Sequence, residues 1–226
     1  MAPLPVPIDG TARLWRIAGF LLSLLLGLAG GLLALTLLWF LLSRGGRPAV
    51  YGDKTAWYLA RSTGTVAYLL LSGATIWGLL LSSRIVKEVV PATVALAMHS
   101  VMSWLAVALA GFHGFVLLFD GYYLYRLVDV MVPFVGPYRP GWVGLGVVGF
   151  YLALLTSASF SWRRWLGAKR WRMLHYLTFV AYVLVTLHGL AAGTDSGESG
   201  MRAVYASSAL LVLFLANYRL LSAKPG

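Results

Sequence analysis

The chain has 226 residues, of which 60% are hydrophobic and 11% charged, and its formal net charge is +11. Soluble domains average about 45–50% apolar and about 25% charged residues, so this composition excludes an ordinary water-soluble fold. No cysteine is present, which excludes disulfides, thiolate-held iron–sulfur clusters and covalent c-type heme attachment. The basic residues lie in short segments between apolar runs, a pattern that membrane topology explains without nucleic acid.

Six apolar segments are each long enough to cross a hydrocarbon core, which takes about 20 helical residues. A Pro-rich tail, residues 1–16, precedes the first segment, residues 17–42, which we expect to be retained because no clear signal-peptidase site follows it. The other five span residues 57–82, 92–119, 142–162, 173–192 and 203–221, and a short tail ends at residue 226. The predicted fold class is therefore an all-α integral membrane protein, a bundle of six transmembrane helices.

The loops carry an uneven distribution of positive charge. Eleven of the 18 Lys and Arg fall on the side of the two termini and seven on the other. By the positive-inside rule both termini are then cytoplasmic, in an inner (plasma) membrane. The most basic loop lies between the fourth and fifth segments, and it could also dock an acidic partner; its basic residues are Arg163, Arg164, Lys169, Arg170 and Arg172.

Two further segments need an interpretation. The longest loop, residues 120–140, is expected to lie in the membrane interface because it carries three tyrosines and a leucine close together: Tyr122, Tyr123, Tyr125 and Leu127. Residues 144–149 match the pattern G-x-G-x-x-G. A dinucleotide site would need a strand before that pattern, whereas here it lies inside an apolar helix. We therefore expect these glycines to allow close packing of helices or of a flat cofactor.

All four histidines lie in predicted membrane helices. His99 and His113 are 14 residues apart on the third helix, and His175 and His188 are 13 apart on the fifth. At about 1.5 Å per residue each spacing covers roughly 20 Å. Because the two helices run in the same direction, we expect His99 and His175 to share a depth near the cytoplasm (the inner pair). His113 and His188 then share a depth near the outside (the outer pair).

Two histidines at each of two depths suit heme better than zinc. A zinc site takes three or four protein ligands, whereas heme iron needs only two axial ligands from protein. We therefore predict two stacked b-type hemes between the third and fifth helices, with all four histidines as iron ligands. Two alternatives remain for the histidines: they form hydrogen bonds between helices, or they line the proton or ion pathway of a channel or carrier. A spacing of 13 puts His188 about 140° around an ideal helix from His175, so the pair requires a bend, a π-bulge or hemes displaced laterally from each other.

Other residues are candidates for surrounding the hemes. We expect Gly111, Gly114 and Gly189 to leave room for a porphyrin face. Candidate partners for the anionic heme propionates are Arg84, Arg170 and Arg172 at the inner level and Arg61, Tyr138 and Arg139 at the outer level. Candidates for filling the space between the hemes, with ordinary packing as the alternative, are Trp104, Phe179 and Tyr182.

Several stretches between residues 57 and 195 carry a family resemblance. They are Trp-Tyr-Leu-Ala-Arg-Ser-Thr-Gly at 57–64, His99 followed by His113, Pro133-Phe134 with Tyr138-Arg139-Pro140, Trp-Arg-Met-Leu-His at 171–175, and His188-Gly189 running to Gly193-Thr194-Asp195. Together they resemble the ferric-reductase-like transmembrane domain family, the heme-bearing membrane module of NADPH oxidases and metalloreductases, in a stand-alone, prokaryotic-type form. The resemblance implies bis-histidine ligation of two b hemes by His99 with His175 and His113 with His188.

The same resemblance implies transmembrane electron transfer. Large members of the family append a flavin and nicotinamide domain, and no such segment follows residue 221 here. We therefore expect an oxidoreductase subunit fed by a separate cytoplasmic flavoprotein or membrane quinol. The acceptor would be extracytoplasmic: ferric iron, oxygen or a redox partner protein. A second hypothesis is the heme-binding membrane subunit of a larger complex, such as a methionine-sulfoxide-reductase system, and a third is an ion or proton channel or carrier.

Overall fold

The computed structural model describes residues 54–83, 85–86 and 90–222, and within them all regular structure is helical, with no strand. The predicted tail 1–16 and first apolar segment 17–42 lie outside the described residues, as do Arg84 and the last four residues.

Seven α-helices follow one another in the described part of the chain. They are α1 (Thr55–Ser82), α2 (Ala92–Val116), α3 (Leu127–Met131), α4 (Pro140–Ala158), α5 (Arg163–His175), α6 (Leu177–Ala192) and α7 (Ser199–Ser222). A 3₁₀ turn, Leu117–Phe119, extends α2, and a second, Ser159–Trp162, joins α4 to α5. The second to sixth predicted segments correspond to α1, α2, α4, α6 and α7.

Four helical stretches among the described residues are long and apolar enough to cross a membrane: Thr55–Ser82, Ala92–Phe119, Pro140–Ala192 and Ser199–Ser222. The third has 53 residues and would be about 80 Å long if straight, far more than a hydrocarbon core of about 30 Å. It folds back instead. The chain leaves helical geometry at Gly167, where φ is 76°, and the His188 ring near the end of α6 binds the Trp142 carbonyl near the start of α4.

The long helices pack as two close pairs, α1 along α2 and α4 along α6, while α7 packs against α1. Small residues permit the close approach. A Cβ built on Gly149 would lie 2.7 Å from a methyl carbon of Val185, and one on Gly144 would meet the Phe134 ring. The glycines of residues 144–149 therefore serve close packing, as predicted, and α4 has no preceding strand that a dinucleotide motif would need.

A cluster of tyrosines occupies the interior where α1, α6 and α7 meet. The Tyr68 hydroxyl lies 2.7 Å from the Ser208 hydroxyl and 3.4 Å from that of Tyr182, and the Tyr68 and Tyr182 rings stack with centroids 6.3 Å apart. Tyr205 meets Tyr68 edge-on at 4.8 Å. These hydrogen bonds satisfy polar groups in a low-dielectric interior, where an unpaired hydroxyl is costly.

The loop before α4 is held by two buried carboxylates. Asp120 accepts hydrogen bonds from the backbone N–H groups of Tyr122 at 2.7 Å and Tyr123 at 2.9 Å. Asp129 accepts from the Arg126 guanidinium at 3.0 Å and from its backbone N–H at 2.8 Å. The Arg126 guanidinium holds the pKa of Asp129 below its ordinary value. Burial, and then the nearby Asp120 carboxylate, raises the pKa of the Tyr125 hydroxyl.

Candidate functional site

The four histidines form two separate facing pairs. His99 of α2 faces His175 at the end of α5 with ring centroids 6.1 Å apart and ring planes at 71°. His113 of α2 faces His188 of α6 with centroids 6.2 Å apart and planes at 72°. His99 thus pairs with His175 and His113 with His188, the pairing that the common direction of the two helices predicts, and both pairs have nearly the same geometry.

The helix that carries His175 is not continuous with the one that carries His188. Helix α5 ends at His175 and α6 begins at Leu177. At the break, the Tyr176 N–H is shared between the carbonyls of Arg172 at 3.1 Å and Met173 at 3.3 Å. This local 3₁₀ tightening means that the phase of one ideal helix does not apply between residues 175 and 188. The bend that the 13-residue spacing required therefore lies at Tyr176.

Backbone carbonyls orient three of the four rings. The Nδ1 atoms of His99 and His113 lie 3.0 Å and 2.7 Å from the carbonyl oxygens of Ala74 and Ala60, both on α1. The Nδ1 atom of His188 lies 3.0 Å from the Trp142 carbonyl on α4. A carbonyl only accepts, so Nδ1 carries the proton in each case and Nε2 keeps a free lone pair. This is the tautomer and the support that a metal-ligating histidine has.

His175 is held differently from the other three. Its Nδ1 atom is buried and has no hydrogen-bond partner among the described residues. Its ring stacks instead on Trp171, one turn earlier in α5, with centroids 5.1 Å apart and planes at 21°. The Arg163 guanidinium lies 5.0 Å from the centroid of the Trp171 ring, and Phe160 meets that ring edge-on at 6.0 Å.

Three glycines face the histidine rings, and sequence reasoning missed their role. A Cβ on Gly64 would lie 2.9 Å from Nδ1 of His113, one on Gly78 would lie 3.1 Å from Cε1 of His99, and one on Gly146 would lie 2.7 Å from Cγ of His188. Gly64 and Gly78 are 14 residues apart, as are the two histidines that they face. That shared spacing is the signal by which the sequence could have identified them.

The glycines next to the histidines in sequence do not leave space for a porphyrin, and that expectation is wrong. The space beside Gly111 is filled by Phe150, that beside Gly114 by Val130, and that beside Gly189 by the Tyr205 ring. They are contacts between helices or with the loop before α4.

The residues present fit heme at each pair. When two imidazoles bind one metal from opposite sides, each metal–nitrogen bond is about 2 Å long and each nitrogen lies about 1 Å from the centre of its ring. The two ring centroids are then roughly 6 Å apart. No group of three or more His, Cys, Asp or Glu able to hold a metal ion occurs in the described part of the chain. The helices α2 and α6 do not pack closely along each other, so the rings span the space between them.

The candidate propionate partners lie at both ends of the site. At the outer end, Arg61 forms an ion pair with Asp195, with Nε 2.8 Å from Oδ2, and its guanidinium covers the Trp57 ring at 4.1 Å. Tyr138 and Arg139 donate to the last carbonyls of α6, those of Ala192 and Ala191 respectively. At the inner end, the side chains of Arg170 and Arg172 are exposed.

The three aromatic candidates for the space between the pairs divide into two groups. Tyr182 is buried in the tyrosine cluster and Phe179 packs against that cluster. Tyr182 lies seven residues after His175 and six before His188, midway between the two levels. Trp104 is 46% exposed and does not belong to that interior.

Comparison with known proteins gives one partial similarity. No family model and no solved structure matches the sequence. Over 80 residues the chain is 36% identical to "Magnetosome protein MamZ" of Paramagnetospirillum magneticum (strain ATCC 700264 / AMB-1). The matched part is 34% of this chain and only 12% of that protein. The similarity therefore covers a segment, and membership of the ferric-reductase-like family stays a prediction.

Proposed function

We propose that this chain is a membrane electron-transfer protein that binds two b-type hemes, one at the inner pair and one at the outer pair. The observation that carries the proposal is the repeated geometry of the pairs, with centroids 6.1 Å and 6.2 Å apart and ring planes at 71° and 72°. Histidines that only hydrogen-bond between helices would have no reason to keep the same ring-centroid distance in both pairs. Ligation of one heme iron by each pair would give that distance in both.

In this proposal the chain crosses the inner (plasma) membrane six times, with both termini in the cytoplasm. The predicted apolar segment 17–42, which lies outside the described residues, would supply the first crossing, and α1, α2, α4, α6 and α7 the others. The distribution of Lys and Arg supports the orientation.

The chain's own residues position and insulate the cofactors. Heme supplies reversible one-electron chemistry when bound. The carbonyls of Ala60, Ala74 and Trp142 fix the ring orientations and increase the basicity of the ligating nitrogens. Tyr68 and Tyr182 fill the interior between the two levels and exclude water from it.

The direction of electron flow in this proposal rests on the family resemblance, and the proposed topology places the inner pair on the cytoplasmic side. Electrons enter at the inner pair from a separate flavoprotein or a membrane quinol, and they leave from the outer pair to ferric iron, oxygen or a redox partner protein. The basic residues of α5 face the side from which a flavoprotein would approach, and they would attract an acidic partner in a salt-dependent way.

Heme content and histidine replacement test the proposal. Protein purified from heme-replete cells should show a reducible low-spin b-type spectrum with about two hemes per chain in a pyridine hemochrome assay. His99→Ala and His175→Ala should remove the same heme, and His113→Ala and His188→Ala the other. Trp104→Ala, which alters an exposed ring, is the control and should retain both. Colourless protein, or a matched loss for His99→Ala and His188→Ala, would refute the proposed sites.

A further inference from the structure

A cavity of about 490 Å³ opens at the start of α5. It is lined by Phe160, Ser161, Arg163, Arg164, Gly167 and Ala168. Gly167 has φ of 76° and interrupts the helix there, and a Cβ built on it would meet no atom within 4 Å. The interruption thus separates the first two arginines of α5 from its later basic residues and leaves open space beside them.

The charge in this cavity has no counterion in the described part of the chain. Arg163 and Arg164 are exposed and form no ion pair with a described residue. Their guanidinium groups lie over tryptophan rings instead, at 5.0 Å from Trp171 and 5.3 Å from Trp165. Two adjacent guanidinium groups beside an open cavity favour an anion, and phosphate is a group that arginine binds well because its donors match the oxygen geometry.

Exposed aromatic side chains lie at this cavity and next to it: Phe160 lines it, Trp165 lies under the Arg164 guanidinium, and Trp162 stands between them in the sequence. Phe160 is 49% exposed, Trp162 43% and Trp165 74%. They follow directly on Ala158, where the apolar helix α4 ends, so they lie at the depth where an apolar layer would give way to headgroups. Tryptophan and arginine together are typical of that depth, and basic pockets at the ends of membrane helices bind anionic lipid headgroups. The cavity is shallow and open to the surface, a shape that a headgroup could enter from the membrane border.

We propose that this cavity binds the headgroup of an anionic phospholipid of the phosphatidylglycerol type. Arg163 and Arg164 contact the phosphate, while Phe160, Trp162 and Trp165 contact the glycerol and the first carbons of the acyl chains. An acidic protein would meet the charge but would leave three large aromatic side chains at the membrane border without an apolar contact. The site stands on the cavity, its charge and its aromatic border, and it does not depend on heme binding.

Native mass spectrometry of the full chain in detergent, with phosphatidylglycerol or phosphatidylcholine added, tests this site. The wild type should retain phosphatidylglycerol in preference to phosphatidylcholine. The double variant Arg163→Gln with Arg164→Gln should bind phosphatidylglycerol about thirtyfold more weakly, the effect expected of two arginines near an anionic lipid surface. The matched control, Lys169→Gln with Arg170→Gln, removes the same charge beyond Gly167 and should bind as the wild type does.

A second variant separates shape from charge and covers the case in which the double variant does not fold. Ala168→Phe keeps every charge and fills the cavity from an exposed position, so it should also reduce phosphatidylglycerol binding. Equal losses in the two double variants would show that only general surface charge attracts lipid, and would overturn the site. Displacement by millimolar inorganic phosphate would identify a free-phosphate site instead. The proposed lipid site would also be overturned if the chain retained no phosphatidylglycerol and instead bound an acidic protein through Arg163.

Discussion

Replacing the glycines behind the α2 histidines should weaken heme binding without weakening the fold. In Gly64→Ala the new Cβ would lie 2.9 Å from Nδ1 of His113, against the atom that donates to the Ala60 carbonyl. The ring must move, and the hydrogen bond to Ala60 is lost. In Gly78→Ala the nearest atom of His99 is Cε1 at 3.1 Å, so a displacement of a few tenths of an ångström suffices and the effect should be smaller.

The expected effect is near zero in heme-free protein and unfavourable in heme-bound protein. Without heme, Gly→Ala within a helix gains about 0.8–1 kcal/mol in helix propensity. That gain offsets a lost hydrogen bond worth about 0.5–1.5 kcal/mol, so the thermal stability of heme-free protein should hardly change. With heme, loss of the group that supports a ligand lowers metal affinity about 10–100-fold, which is about 1.4–2.7 kcal/mol.

Heme content and the redox titration of each variant measure this effect. Gly64→Ala should lose the outer heme and Gly78→Ala, to a smaller extent, the inner one. Gly73→Ala is the control on the same helix, because its Cβ would meet only the Met102 sulfur at an ordinary 3.6 Å; it should keep both hemes. If Gly64→Ala and Gly73→Ala retained equal amounts of heme, the role assigned to Gly64 and to the Ala60 carbonyl would be wrong.

Three further outcomes follow from the described contacts. The Nδ1 atom of His175 has no hydrogen-bond partner among the described residues. The inner heme should therefore transfer to a heme-scavenging apoprotein faster than the outer heme, in a fast phase that His175→Ala removes; a single phase for two hemes would contradict this. Arg126 lowers the pKa of Asp129 in the folded chain. The ionised carboxylate should therefore stabilise the loop before α4 fully at any pH above the ordinary Asp pKa of about 3.9. That stabilisation should be lost as the pH falls through the lower pKa of the folded state. Limited proteolysis of the loop should then be constant from neutral pH to about pH 5 and increase only below about pH 4, and Asp129→Asn should be cleaved readily at every pH. The Arg61–Asp195 ion pair is partly exposed. A double-mutant cycle of Arg61→Gln and Asp195→Asn should therefore give a coupling free energy of at most about 1 kcal/mol. A much larger value would show that the pair is shielded from water.

The helices and the pairing of the histidines could be predicted because both depend on short-range properties of the sequence. An apolar run of about 20 residues has to be helical in lipid, since no water satisfies its backbone groups. The direction of each crossing then follows from counting, and it places His99 with His175 and His113 with His188. The break at Tyr176 was not visible in the sequence, because residues 173–192 read as one uninterrupted apolar run.

The support of the histidines could not be predicted in the same way. Its acceptors are main-chain carbonyls of Ala60, Ala74 and Trp142, and side-chain identity does not reveal which carbonyl a ring will reach. Periodicity is also uninformative here. When lipid surrounds a bundle, a helix is apolar on every face, so the pattern does not show that α1 packs along α2 and α4 along α6.

These supports make the two levels of the site unequal. Helix α1 carries no histidine, yet its carbonyls, 14 residues apart, orient the α2 ring at both levels. Helix α4 does the same only at the outer level, for His188. At the inner level, the ring of His175 is supported by Trp171 and not by a carbonyl of α4. Trp171 contacts His175 through ring stacking, without a hydrogen bond. Trp171 also touches Arg163 and Phe160 of the basic cavity. A ligand in that cavity would therefore lie two contacts from the His175 ring, which no backbone group in the described part of the chain fixes. Under the proposed topology this is the level at which electrons enter, and its heme environment is the one that a bound lipid or an approaching donor can alter.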